Sequence, residues 1–261
     1  MTPTENLLAP ELAERLVSLL NRFRQFRQEP EQQLSESPLH AQVKIADFLD
    51  RFRKARPGPD GLDAKQAKWE ARNAPHFNVF RVVGLQRRET KLHSPILAEF
   101  LNPSGIHGQG TEFLKAFLSM IKKTGLSDLG GLLESSEFPK ASDWEIIADR
   151  KFKESGRPDI RLNCRRCGFH MVIENKVDAP EGLDQLRRYA KDLETEKDFP
   201  KRYLVFLTPT GRLPKTEDPA KCICISYREH IVQWLEQVKK SLEAPWLRTT
   251  VEQYLEIVKD L

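Results

Sequence analysis

The sequence predicts an α/β protein: a mixed central β-sheet flanked by helices, with an N-terminal helical extension. Three observations carry that expectation. Helical periodicity dominates up to about Gly131, five short β-rich runs follow, and one amphipathic helix separates the third run from the fourth. Strands that are first adjacent and then joined through a helix give a sheet that is antiparallel in one part and parallel in the other. The 261 residues suffice for one large domain with an extension. The expected organisation is a helical segment over residues 1–76 and an α/β domain over residues 77–261.

Each element has its own warrant. Leu12, Leu16, Leu19, Leu20, Phe23 and Phe26 recur at helical spacing, so Pro10–Gln28 reads as an amphipathic helix rimmed by Arg22, Arg24 and Arg27. A second helix is expected over Pro38–Arg53. "ARPGPDG" then offers two prolines and two glycines, the best linker candidate in the chain. Val79, Phe80, Val82 and Val83 form a short apolar block. Glu89–Leu101 reads as helix although Pro95 interrupts it, and Pro95 is easiest to place if the helix starts at Ser94. "GIHGQG" is a loop, and Thr111 opens a helix through Ile121. That loop matches no phosphate-binding fingerprint, because no Lys-Ser/Thr follows it.

The five β-rich runs are "DWEIIADRKF", "RPDIRL", "GFHMVIEN", "RYLVFLTP" and "CICISY". Between the third and fourth, a helix is expected from Pro180 to about Glu196, with Leu183, Leu186, Tyr189, Ala190 and Leu193 on its apolar face. Helices resume over Tyr227–Leu242 and Pro245–Leu261.

Composition excludes several classes. No apolar run approaches the roughly 18 residues of a membrane span, so no membrane partner is expected. The N-terminus lacks the basic-then-apolar pattern of a signal peptide, and the expectation is a cytoplasmic protein. Four cysteines in a chain this long do not make a disulfide framework. Lys and Arg total 42 against 38 Asp and Glu, a net +4 that permits nucleic acid as a partner without arguing for it.

The chemistry concentrates in "RPDI" and "VIENK". Alternation along a strand puts Glu174 and Lys176 on one face and Asn175 on the other. The midpoint between Asp159 and Glu174 falls between Arg166 and Cys167, inside a natural turn. A hairpin centred there sets Asp159 opposite Glu174, with Cβ atoms about 5 Å apart. Two carboxylates that close repel each other, and a divalent cation between them removes the repulsion. Hard oxygen ligands suit Mg²⁺ or Mn²⁺. Lys176 would then orient a water or stabilise an oxyanion, completing the parts for phosphodiester hydrolysis. The bare pattern favours an ordinary Asp/Glu/Lys network at a strand end; placement on adjacent apolar strands, followed by a helix, brings the two readings level.

With their surroundings, these residues resemble the PD-(D/E)XK nuclease superfamily. "RRETKLHSPILAEFLNPSGIHGQGTEFLKAFL" is similar to the upstream segment of a bacterial, uncharacterised branch. "ENKVDAPEGLDQLRRYAKDL" resembles the motif strand and the helix after it, with a Gln-x-x-x-Tyr element like that of RecB-type nucleases. The resemblance spans about Phe77–Glu236. It implies a restriction-endonuclease-like core, metal ligation by Asp159 and Glu174 with the Asn175 carbonyl, and Lys176 assisting the water or the transition state. Glu89 would correspond to the carboxylate of the first core helix, and Gln185 and Tyr189 would close the pocket. Arg165, Arg166, Tyr189 and His107 are the candidate nucleic-acid contacts, whereas His93 reads as structural.

The implied activity is Mg²⁺- or Mn²⁺-dependent cleavage of nucleic acid, DNA ahead of RNA, by an endo- or exonuclease. A module that keeps the fold and binds nucleic acid without turnover is the alternative. A homodimer is among the open oligomeric states. A rival zinc site would use Cys164, Cys167, Cys222 and Cys224.

Overall fold

The computed structural model describes residues 38–124, 126, 129–135, 137–148 and 156–261. The helix expected over Pro10–Gln28 lies outside them. The chain divides into two compact units, the first ending at His76 and the second spanning Phe77–Leu261.

In the first unit, helix α1 (Pro38–Ala55) is followed by α2 (Leu62–Asn73). Asp47–Arg51 and Asp50–Lys54 ion pairs at i,i+4 line α1, and Phe48 stacks on Phe52 one turn on. The sequence offered "ARPGPDG" as a linker; it is instead a tight turn between two helices. Arg56 holds Asp63 twice, by its carbonyl to the Asp63 N–H (3.1 Å) and by Nε to Oδ1 (3.0 Å). Gly61 is required there, since a Cβ would stand 2.4 Å from the Pro57 carbonyl oxygen.

The second unit is built on a five-stranded sheet in the order β1 (Trp144–Ala148), β2 (Ile160–Cys164), β3 (Phe169–Asn175), β4 (Lys201–Thr208) and β5 (Ile223–Ser226). β1–β2 and β2–β3 pair antiparallel, whereas β3–β4 and β4–β5 pair parallel. The change of sense falls at β3, where a helical crossover replaces a hairpin. That crossover helix, α7 (Gln185–Glu194), covers one face with Leu186, Tyr189, Ala190 and Leu193 packed on Val172, Leu204 and Phe206. β3 is buried along its whole length, as a strand covered on both faces must be.

The other face carries the larger core. Helices α4 (Ser94–Leu101), α5 (Glu112–Lys123), α8 (Val232–Lys239) and α9 (Pro245–Lys259) lie over Leu162, Met171, Ile173, Val205 and Ile225. α5 alone buries Phe113, Leu114, Phe117, Leu118, Met120 and Ile121, each worth about 1.5–3 kcal/mol of transfer free energy. Trp234 sits edge-on to Phe113 and Phe117 and donates its indole N–H to the Phe113 carbonyl at 2.9 Å. Two short helices complete the layer, α3 (Val79–Val82) and α6 (Gly130–Leu133). Asn78 caps α3 and donates to the Gln253 carbonyl (2.8 Å), joining the start of this unit to its last helix.

Two expectations need correction. Glu89–Leu101 is helical throughout, but its first turn, Glu89–His93, is a π-helical turn that runs directly into α4. The wider i→i+5 spacing relieves the clash of the Pro95 ring with the preceding turn, so the helix extends upstream of the proline. The crossover helix begins at Gln185 instead of Pro180, and Leu183 is exposed. Asp184 takes a left-handed conformation (φ 49°) and the Gly182 N–H is taken by the Gln185 side chain, so no helix runs through from Pro180.

Candidate active site

The β2–β3 hairpin pairs Ile160 with Ile173. One step further along that register, Asp159 faces Glu174. Asp159 stands just ahead of β2 and accepts from the Asn175 N–H at 2.8 Å and from Ser94 Oγ at 3.1 Å. Glu174 is on the α7 face, paired with Phe206 on β4. Its Oε1 takes Lys176 Nζ at 2.5 Å and Gln185 Nε2 at 2.7 Å. Its Oε2 is buried and has no hydrogen-bond partner.

Electrostatics follow from that enclosure. Burial pushes the Glu174 carboxyl up to about 8, and the neighbouring Asp159 charge adds to the effect against Lys176 and Gln185. Burial likewise raises the Asp159 carboxyl, opposed by the Asn175 N–H, Lys176 and Ser94. Burial alone would lower the Lys176 ammonium, but the charge and hydrogen bond of Glu174, with Asp159 and Glu89, push it up. Two mutually repelling carboxylates, with one orphaned buried oxygen, are a donor set that a divalent cation fits. Asp159 and Glu174 would hold it, and main-chain oxygen, water and substrate phosphate would fill the remaining hard-ligand positions. Among the described residues, no three His, Cys, Asp or Glu side chains converge as a ready-made metal cluster.

The other sequence candidates divide. Gln185 is at the site: it binds Glu174 and Tyr189 by Nε2, and its Oε1 accepts from the Gly182 N–H at 3.0 Å. Tyr189 is 1% exposed and forms the floor beneath Gln185, so it has no surface to offer a nucleic acid. Glu89 has a different task from a free carboxylate. Its Oε1 accepts from the N–H groups of Val177 (2.6 Å), Asp178 (2.9 Å) and Ala179 (3.0 Å), which pins the segment just after Lys176. Asn175 turns its side chain to the opposite face and is fully buried.

His107 spends its ring within its own loop, Nε2 on the Asn102 carbonyl and Nδ1 on the Gln109 N–H, which corrects its expected role at substrate. Arg165 and Arg166 occupy the hairpin turn at the other end of β3 from Glu174. Six strand steps, roughly 20 Å, separate that turn from the carboxylates. Arg166 is moreover engaged by Asp143 (3.2 Å) and Glu137 (3.4 Å). Neither arginine belongs to the carboxylate cleft. The four-thiolate zinc site does not form: Cys164 belongs to the larger core on one face of the sheet, and Cys222 to the smaller core with the α7 residues on the other.

Sequence reading missed Glu181. Its nearly buried carboxylate accepts from Arg212 Nη1 (2.5 Å), the Thr216 N–H and hydroxyl (both 3.0 Å) and the Lys215 N–H (2.9 Å). It thereby fastens the β4–β5 loop to the segment that follows the motif. Burial opposes its charge, but Arg212 and these donors hold its carboxyl below the usual value. Glu181→Ala should destabilise the protein by about 2 kcal/mol or more, because several donors lose their acceptor together. Faster tryptic cleavage at Lys215 is the expected readout, and unchanged cleavage with an unchanged urea midpoint would remove this role.

A mixed sheet with flanking helices, whose hairpin brings an aspartate, a glutamate and a lysine to one strand end, defines a restriction-endonuclease-like α/β protein. Residues 77–256 match the PD-(D/E)XK nuclease superfamily, and the chain belongs to it. Neither a curated protein nor a solved structure matches the chain. Among the described residues, no helix is long and apolar enough to cross a membrane.

Proposed function

We propose that this protein hydrolyses phosphodiester bonds in nucleic acid, DNA in the first instance, with Mg²⁺ or Mn²⁺ held by Asp159 and Glu174. The observation that carries the proposal is the unpartnered, buried Oε2 of Glu174 beside a second carboxylate and Lys176. The bound cation would polarise the phosphoryl oxygen and lower the pKa of an attacking water.

The chain's own residues do the rest. Gln185 fixes the Glu174 carboxylate from the α7 side, in the manner of the RecB-type Gln-x-x-x-Tyr helix. Lys176, tethered to Glu174 and only 13% exposed, supplies a positive charge for the oxyanion that develops on phosphorus. Glu89 keeps the backbone after Lys176 from drifting. The first unit, residues 1–76, would be accessory to this chemistry.

A binding module that has lost turnover would be expected to have a broken acidic or basic position, whereas Asp159, Glu174 and Lys176 are all present. The test is incubation of the purified protein with plasmid, linear duplex, single-stranded DNA and RNA, in Mg²⁺, Mn²⁺ or EDTA. Cleavage only with the divalent ions is the expected result. Retention of DNA on a gel without cleavage of any substrate would favour the binding module.

A further inference from the structure

We propose that Tyr227 and Asn175 are positioning residues that act through Ser94 to hold the Asp159 carboxylate in its metal-binding orientation. This inference rests on the functional reading of Asp159 given above and adds three side chains to it. A buried hydrogen-bond chain connects them. Tyr227 OH donates to Asn175 Oδ1 at 2.9 Å, Asn175 Nδ2 donates to Ser94 Oγ at 3.1 Å, and Ser94 Oγ donates to Asp159 Oδ1 at 3.1 Å. The Asn175 main-chain N–H holds the other oxygen, Oδ2, at 2.8 Å.

Direction is the point of the chain. A serine hydroxyl has one proton, and an asparagine amide can turn either end toward it. With Tyr227 donating to Oδ1, the NH₂ end must face Ser94, so the serine proton is left for Asp159. If the phenol oxygen were absent, the amide would be free to rotate and offer Oδ1 to Ser94. The serine would then donate to Asn175, and Asp159 Oδ1 would lose its donor.

Tyr227 is itself fixed. It and Tyr254 are fully buried, and burial raises both phenols well above their ordinary range, so each keeps its proton. His93 Nε2 lies 2.9 Å from the Gln86 carbonyl, which can only accept, so the proton is on Nε2. Nδ1 is then the acceptor for Tyr254 OH at 2.9 Å, and the His93 ring packs edge-on to Tyr227.

Partners behind a metal ligand commonly set its affinity by a factor of about 10–100. Mn²⁺ binding to the full chain without nucleic acid, followed by titration calorimetry, measures the effect free of turnover. Tyr227→Phe and Ser94→Ala should each weaken Mn²⁺ binding by about 10–100-fold, and Ser94→Thr should restore it by returning the hydroxyl. If Tyr227→Phe does not fold, the Ser94 pair decides alone. Variants that melt earlier but bind Mn²⁺ with parental affinity would reduce the chain to core packing and overturn the inference, with the functional reading intact. A parent that binds no Mn²⁺ would overturn both.

Discussion

Lys176→Ala should lower the rate of strand cleavage by about 100-fold or more while leaving DNA affinity near that of the parent. The ammonium is 2.5 Å from Glu174 Oε1 and almost enclosed, so it contributes little to a solvent-facing binding surface. On the proposed mechanism its charge would come into play as negative charge develops on the phosphoryl oxygens, which would make its contribution a transition-state one. Removing it also leaves Glu174 with Gln185 as its remaining donor. In metal-free protein below about pH 8, the carboxyl answers by staying protonated, which keeps the stability loss small. Single-turnover cleavage alongside melting curves with and without Mg²⁺ separates the two effects. A mutant that cleaves at the parental rate would take Lys176 out of the mechanism.

Glu174→Gln should abolish detectable cleavage and remove the fall in metal-free stability with rising pH that Glu174 gives the parent. The Glu174 carboxyl is raised by burial to about 8, above its ordinary value, so the folded state holds a proton that the unfolded state has already released. Its stabilising contribution is therefore complete at low pH and is lost as pH rises toward about 8. In EDTA, the parent's melting temperature should fall across that window and the Gln variant's should not. Mg²⁺ should flatten the parent's profile by supplying the missing positive charge. Parallel profiles for the two proteins in EDTA would show that Glu174 is not the titrating group.

The sheet was legible because its signals are local. Alternation, turn composition and hairpin symmetry located all five strands, and symmetry alone predicted a register that sets Asp159 against Glu174. The crossover helix was readable from its apolar face, but not its start. Leu183 continues the apolar spacing, yet the left-handed turn at Asp184 cuts it off from the helix. Glu89 illustrates the same limit. Its presence near the site followed from resemblance, whereas its three-amide grip depends on a π-helical turn that no spacing rule announces. Tyr227 and Tyr254 look like ordinary aromatic core positions, and only their burial beside Asn175 and His93 reveals what their hydroxyls do. Arg165 and Arg166 were grouped with the site by charge alone, whereas distance along the strand sets them at the far end of β3 from the carboxylates.

The Glu89 grip has a consequence for how this segment can vary through evolution. What Glu89 recognises at residues 177–179 is backbone alone, so the restraint is blind to side-chain identity. Val177 is fixed separately by the core and Asp178 is paired with the Arg87 guanidinium, whereas position 179 faces outward and is free to drift. The one residue type shut out is proline, which has no N–H to give. Proline does occur at the first position past the grip, Pro180, where no amide is demanded. Sequence latitude and geometric constraint thus coexist in neighbouring residues: position 179 can change its side chain without moving the lysine.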